Sequence, residues 1–412
     1  MACVIPFKAA RPVRECVKEV ASFPYDIIDS KEAREIAKGN PKSFLHVIKS
    51  EIDLPEDVDS YDERVYEKAR ENLKDFLDKG ILFQEKEPCY YVYRQKMGDH
   101  EQYGITACIS VADYESGHVK KHELTREDKE ADRTRHMDVI NAQPGPILMT
   151  YQSDKAIDAV VAAVVTDEPE YDFTAEDGIS HTVWVVADRS IVKKIEETFS
   201  RIESIYIADG HHRTASAAQV AHKRREENPD HKGNEEYNYM LAVLFPDNQV
   251  KILDYNRAVT DLGGMTEEQF IEKLSEKFTV TPDFTDRNPR EFHVFGMYLK
   301  GKWYKVSAKE GTFDEGDVVD SLDVSILQKN LLTSVLGIGD IRTDKRITFI
   351  GGIRGMDELE RLVDSGDYAV AFSLFPTTVQ QLMDVSDAAK IMPPKSTWFE
   401  PKLRSGIFVH LF

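Results

Sequence analysis

A mixed α/β class, nearer to α+β than to a strictly wound parallel sheet, is the expectation for this chain of 412 residues. Three observations carry it. Short runs of alternating apolar residues recur along the chain, as half-buried strands do. Between them lie stretches with helical apolar spacing closed by Gly or Pro. The two kinds of segment do not alternate regularly enough for a series of β-α-β units.

The first helix is expected in "SKEAREIAKGNP", with Ser30 as its cap and Gly39 as its stop, before Asn40-Pro41 turns the chain. A second runs within Tyr61 to Gly80 and again ends on glycine. "CYYVYRQKM" and "YGITACISVADY" read as paired strands joined through "GDHEQ". The stretch from His118 to Asp138 is densely charged and is closed by Pro144, Gly145 and Pro146. "HTVWVVAD" and "IESIYIAD" read as strands flanking a helix near Ile191 to Phe199. "YNYMLAVLFPDNQVKILDYNRAV" reads as a hairpin turning at Pro246 to Asn248. From about Thr266 the order expected is helix, strand, strand, helix, strand, helix. The pattern change places a boundary near residue 260, giving a region 1–260 and a region 261–412.

Composition narrows the function. Lys and Arg number 53 against 73 Asp and Glu, a net charge of −20. Duplex nucleic acid and anionic membranes both need a cationic footprint, so neither is an expected partner. No apolar run approaches the ~18 to 20 residues that cross a bilayer, and the first residues carry no secretory pattern. A cytoplasmic location follows as the expectation. The four cysteines, Cys3, Cys16, Cys89 and Cys108, form no CxxC pair and read as reduced thiols. Nothing in the sequence specifies an oligomeric state.

The stretch "IYIADGHHRTASAAQVA" is the most informative. A strand ends in Asp209, Gly210 permits a sharp turn, and a helix-forming run follows Arg213. The first turn of a helix exposes unpaired N–H groups at its positive end, a ready anion site. Arg213 can clamp a phosphate, and His211, His212, Thr214 and Ser216 offer further donors. Asp209 can hold Mg²⁺ or orient a nucleophile. A solvated turn with Asp209 as helix cap is the bland alternative. Zinc is not expected: adjacent histidines diverge, and Arg126 stands where HExxH would need its second histidine after His122.

Two further stretches offer polar groups. In "HELTREDKEADR", Glu123, Lys129 and Arg133 lie in a charge run that alone reads as a solvated helix face. In "MPPKSTWFEPK", Lys395, Ser396 and Thr397 can cover a phosphate or carboxylate, although no GxxxxGK[ST] precedes them. No GxSxG elbow occurs, which removes the usual serine hydrolase.

Taken together, "IPFKAARPVRECVKEVASFPYDII", "NPKSFLHV", "YVYRQ", "HELTREDKEADR", "YIADGHHR" and "MPPKSTWFEPKLRSG" resemble a bacterial domain-of-unknown-function family, number ten-fifteen, over nearly the whole chain. The DGHHR segment also resembles the nucleotide-binding signature of the ParB/sulfiredoxin superfamily, to which free serine kinases belong. The resemblance implies a ParB/sulfiredoxin-like nucleotide-binding core in 1–260, elaborated by extra strands and helices, with an α/β region in 261–412 contributing the MPPKST loop. It implies a phosphotransferase of serine metabolism using ATP or ADP with Mg²⁺, and free serine or O-phosphoserine as substrate, in either direction. Gly210, His211, His212, Arg213, Thr214 and Ser216 would bind the nucleotide. Asp209 would hold the metal or polarise the hydroxyl, and Asp26 or Glu123 would be the base. Lys129, Arg133, Lys395, Ser396 and Thr397 would bind the substrate. His211 stands where sulfiredoxins need a cysteine, which removes that reaction. A nucleotide-binding sensor without turnover is the alternative from a different class.

Overall fold

The computed structural model describes residues 3–412, and these divide into two compact units. The first holds the chain up to Lys121, then Thr125–Val250 and Pro401–Phe412. The second holds His122–Leu124 and Lys251–Glu400. The fold is mixed α/β, and its largest element is a nine-stranded mixed sheet.

That sheet belongs to the first unit. Its strands are β1 (Val4–Ile5), β2 (Tyr90–Met97), β3 (His100–Ser110), β4 (Val119–Lys120), β5 (Ile147–Tyr151), β6 (Tyr171–Thr174), β7 (Ser180–Val186), β8 (Ile205–Asp209) and β9 (Tyr239–Pro246). They lie in the order β4-β8-β5-β9-β3-β2-β7-β6, with β1 also paired to β3. The β4–β8 and β5–β9 pairs are parallel and the others antiparallel. Strand β9 is central because its run "MLAVLFP" is buried throughout, as a strand covered on both faces must be. Its neighbour β3 carries Gly104, where a Cβ would come within 2.5 Å of Val243 and 2.8 Å of the Phe245 ring. The glycine is what lets the two strands approach.

The helices of eight or more residues in this unit are α1 (Ser30–Ala37), α2 (Glu63–Asp78), α3 (Glu127–Ile140), α4 (Lys155–Val164), α5 (Arg189–Phe199) and α6 (His211–Glu227). Ile157 and Val160 of α4 and Ile195 and Phe199 of α5 close one core with Ile147, Met149, Ile205, Ile207, Ala242 and Leu244 of the strands. A separate core joins Ala33 and Ala37 of α1 to Ala69, Leu73 and Phe76 of α2. Helices α3 and α6 are tied by Ser216 to the Glu130 carbonyl at 3.0 Å and by Lys223 to Asp138 at 2.6 Å.

The second unit is built on a six-stranded antiparallel sheet of β10 (Tyr255–Val259), β11 (Phe278–Pro282), β12 (Val294–Leu299), β13 (Lys302–Ala308), β14 (Ile347–Gly351) and β15 (Val370–Leu374). The order is β11-β13-β12-β15-β10-β14. Helices α7 (Glu267–Leu274), α8 (Met356–Asp364) and α9 (Val379–Asp387) belong to it. Leu359 and Val363 of α8 pack with Ala258, Tyr298, Trp303, Ile350 and Ala371 of the strands. Helix α9 starts in a reciprocal capping box between Thr378 and Gln381, which satisfies two otherwise orphaned N–H groups.

The structure departs from the sequence reading in five places. The cap of α1 is Asp29, which forms a capping box with Glu32, and Ser30 is already helical. Helix α3 starts only at Glu127, so the charge run from His122 is helical in its later part alone. Strand β3 stops at Ser110, whose hydroxyl caps the short helix Val111–Glu115. The run from Tyr239 is no hairpin: β9 pairs with β3 and β5, whereas Lys251–Leu253 pairs with Trp398–Glu400. Alternating hydrophobicity marked these strands correctly but carries no information about partners. After α7 come three strands, not two, before the next helix.

Candidate functional site

Strand β8 delivers Asp209 to the edge of its buried run, and Gly210 turns the chain with φ 102° before α6 starts at His211. That left-handed conformation favours glycine. A Cβ at Gly210 would also come within 3.1 Å of the Arg213 guanidinium. The turn therefore needs glycine twice over, for its backbone and for the arginine folded against it. Gly210, and not Asp209, is the helix cap, and no side chain caps this end. The N-terminal end of a 17-residue helix, the positive end of its dipole, thus lies at the junction.

Arg213 is the hub. Its side chain is 7% exposed, and its Nη2 lies 3.8 Å from Asp209 Oδ2 and 3.6 Å from Asp26 Oδ2. Its Nη1 donates to the Pro146 carbonyl, while its buried Nε has no hydrogen-bond partner. Lys402 Nζ lies 3.3 Å from the same Oδ2 of Asp209. Two carboxylates and two cations thus alternate in the order Asp26, Arg213, Asp209, Lys402. Burial alone would push the Asp209 carboxyl up, but the Lys402 ammonium and the Arg213 guanidinium outweigh it, with His211 adding to their effect, and hold it well below the usual carboxylate range. The two carboxylates keep about a third of their side-chain surface open, 30% for Asp209 and 35% for Asp26, while both cations are nearly covered.

Asp26 follows Tyr25, whose ring carries the Arg133 guanidinium at 4.4 Å. Arg133 is paired to Asp132 at 2.7 Å, and Asp132 accepts from the Tyr66 hydroxyl at 2.9 Å. Burial and the neighbouring Asp26 push the Tyr25 phenol far up, so it stays neutral in this charged surrounding.

A family model described as a protein of unknown function, DUF1015, matches residues 4–325. The chain belongs to this family. No curated protein matches it. Among solved structures, it is similar to a conserved hypothetical protein from Pyrococcus furiosus, with 13% identity over 74% of this chain and 97% of that one, TM-score 0.37. It is also similar to a free serine kinase in complex with AMP, with 13% identity over 73% of this chain and 91% of that one, TM-score 0.35. SbnI with a C-terminal truncation, from Staphylococcus aureus, matches with 10% identity over 73% and 85% of the two chains, TM-score 0.38.

Within the first unit, the structure brings together Asp26, Asp209, Gly210 and Arg213, with His211 in the field of Asp209. His212 Nε2 accepts the Arg126 backbone N–H at 3.1 Å and so ties the starts of α3 and α6. Thr214 donates to the Gly210 carbonyl at 3.1 Å and Ser216 to the Glu130 carbonyl, so both hydroxyls hold the junction's frame. Arg133 reaches the cluster through Tyr25, whereas Lys129 Nζ bonds the Tyr61 hydroxyl at 2.8 Å. Glu123 lies in the short segment grouped with the second unit. Lys395, Ser396 and Thr397 belong to that unit too. There Lys395 has φ 60° and its carbonyl accepts from Arg257 at 2.9 Å, and the Ser396 carbonyl accepts from Thr377 at 2.9 Å. No helix among the described residues is long and apolar enough to cross a membrane.

Lys402 and Tyr25 were not singled out from the sequence. Tyr25 stands beside Asp26 in "PYDII", and Lys402 is one of two cations, with Arg404, in a segment otherwise patterned for burial, "PKLRSGIFVH". A charged residue inside such a run signals a buried partner, but 193 residues separate Lys402 from Asp209.

Proposed function

We propose that the first unit binds nucleotide phosphates at the β8–α6 junction and moves a phosphoryl group between the nucleotide and the hydroxyl of a small amino acid, free serine first among them. The observation that carries this reading is the alternating set of Asp26, Arg213, Asp209 and Lys402 at the N-terminal end of a long helix. Phosphoryl transfer asks little of a protein beyond positioning and charge neutralisation. The positive end of the helix and two nearly buried cations would supply the second. Asp209 and Asp26 supply the first, being held on either side of one guanidinium.

In the kinase direction the serine oxygen forms a bond to the terminal phosphorus, and the bond from that phosphorus to the rest of the nucleotide breaks. ATP leaves as ADP, or ADP as AMP. The hydroxyl proton passes to Asp26, and Asp209 orients the hydroxyl or holds Mg²⁺ against the phosphates. Arg133, fixed over Tyr25 beside Asp26, would face the substrate carboxylate. The ParB/sulfiredoxin-like resemblance of the DGHHR segment points to the same chemistry and to the same junction.

The test is direct. The full chain is incubated with labelled ATP or ADP, Mg²⁺ and serine, and phosphoserine is measured. The reading expects nucleotide-dependent phosphoserine that Asp209→Asn and Arg213→Ala each abolish. Phosphoserine undiminished in both variants would refute the site assignment. Nucleotide binding without any phosphoserine would make the protein a sensor instead of an enzyme.

A further inference from the structure

The segment from Pro401 to His410 is buried residue after residue, yet it forms only one short strand, His410–Leu411. Its backbone is pinned at intervals. The Lys402 carbonyl accepts from Gln95 of β2 at 2.9 Å. Ser405 and Ser22 exchange backbone hydrogen bonds at 3.0 and 2.9 Å. Val409 and Ala10 pair in the same way, and Phe412 donates to the Asn141 carbonyl at 3.0 Å. Gly406, with φ 86°, passes so close to Phe44 that a Cβ would meet its side chain at 2.7 Å. The path of this strap therefore has little freedom.

Along that path the strap touches both sides of the charge cluster. Lys402 reaches Asp209. Three residues on, Ser405 is paired to Ser22, and Arg404 covers the Phe23 ring at 4.0 Å. Both contacts fix the segment that leads into Tyr25 and Asp26. Arg404 is itself anchored to Asp177. Ser405 also packs against Gly145, where a Cβ would meet its hydroxyl at 2.9 Å, and the next residue, Pro146, supplies the carbonyl that Arg213 holds. The strap thus touches Asp209 directly, reaches Arg213 through Asp209, and holds the backbone three to four residues ahead of Asp26.

We propose that residues 401–406 are a working part of the anion site, with Lys402 as the positioning residue that holds Asp209 and the Ser405–Ser22 pairing as the clamp that holds the Asp26 segment. The inference rests on the anion-binding reading above and adds to it a residue and a structural requirement. Lys402 acts through Asp209. A phosphate that draws on Arg213 and the helix N–H groups leaves Asp209 dependent on Lys402 for its charge balance, so ligand and strap hold each other in place.

The test uses the full chain, with ADP and inorganic pyrophosphate as probes in titration calorimetry. Wild type, Lys402→Met and Lys402→Arg are compared, and melting temperatures are measured in parallel. Lys402→Met is expected to weaken ADP roughly ten- to a hundredfold, the range of a lost charge-assisted contact, and Lys402→Arg to restore most of it. Amide hydrogen exchange is the second readout. ADP should slow exchange at 21–26 and 401–406 in wild type and not in Lys402→Met. Wild type that binds neither probe sinks the anion-site reading itself, and this inference with it. Wild type that binds, with Lys402→Met equally tight and exchange of the strap unmoved by ADP, overturns the inference alone. If Lys402→Met melts too low to titrate, the exchange result in wild type decides.

Discussion

Two buried arginines show how differently the two units treat charge. Arg213 in the first unit lies between carboxylates, and burial, which favours its neutral form, is outweighed by Asp26 and Asp209, so its pKa goes up. Arg257 in the second unit has no carboxylate on it. It donates to the carbonyls of Tyr255, Asn256 and Lys395 and lies 4.6 Å from the Phe349 ring centroid, and burial brings it down to about 10. Both stay cationic near neutrality. Arg213 is held by two carboxylate side chains that keep about a third of their surface exposed. Arg257 is held by backbone dipoles inside a closed core, so its work is to fix the 393–397 loop. Burial of a cation does not by itself mark a binding site.

The largest contrast should come from removing each guanidinium. Arg213→Met leaves Asp26 and Asp209 without their shared cation. Since both carboxylates are partly exposed, we expect a loss of about 2 to 3 kcal/mol, below the ~3 to 5 of a fully buried pair, together with loss of nucleotide binding. Arg257→Met strands the Lys395 carbonyl at about 1 to 3 kcal/mol. Urea titration of both variants measures the difference, and a costlier Arg257→Met would break the comparison.

Each sheet also has a mid-strand glycine under close contact, Gly104 in the first and Gly296 in the second. In Gly296→Ala the new Cβ meets the Arg287 carbonyl oxygen at 2.5 Å as well as the Ser373 hydroxyl, and in Gly104→Ala it meets Val243 and Phe245 side chains. Overpacking costs about 1 to 3 kcal/mol. Gly296→Ala belongs at the upper end because a backbone atom cannot rotate aside, and equal urea midpoint shifts would contradict that.

Buried titratable groups in the two units should also respond to pH with opposite sign. His136 and His181 of the first unit are pushed down to about 3, by burial first and then by Arg133 and Arg404 respectively. Their contribution is complete above the unfolded value near 6.5 and is lost as pH falls toward 3. In the second unit burial raises Asp323 to about 7, and one of its buried oxygens has no partner. Its contribution is complete below the ordinary carboxylate value and is lost as pH rises through 7. Asp323→Asn should flatten the loss between about pH 4 and 7 and leave the acid limb alone, as read from urea midpoints across that range. An unchanged profile would show that Asp323 is ionised throughout.

The smallest effects belong to the caps. Asp29→Ala on α1 and Thr378→Ala on α9 should each cost about 1 kcal/mol, since both are capping boxes. Scanning calorimetry on the two variants checks this.

What the sequence made legible follows the range of the forces involved. Local signals were readable: Gly39 and Gly80 as stops, the strand into Asp209, the sharp turn at Gly210. One-residue choices were not, because Asp29 and Ser30 are both good caps and only backbone geometry separates them. Pairing was not, because β9 looks like a hairpin arm until its long-range partners β3 and β5 are seen. At the site, Asp209 and Arg213 stood out through their neighbours in sequence. Lys402 stayed hidden because its whole reason for being there is a carboxylate nearly two hundred residues away.

The central claim is that the β8–α6 junction receives phosphate. Amide chemical shifts of residues 209–213, followed by ¹⁵N NMR while ADP and Mg²⁺ are added to the full chain, test it most directly. The account predicts that the largest changes fall at Gly210, His211, His212 and Arg213 and disappear in Arg213→Met. Saturating binding with no change at those four amides would contradict it.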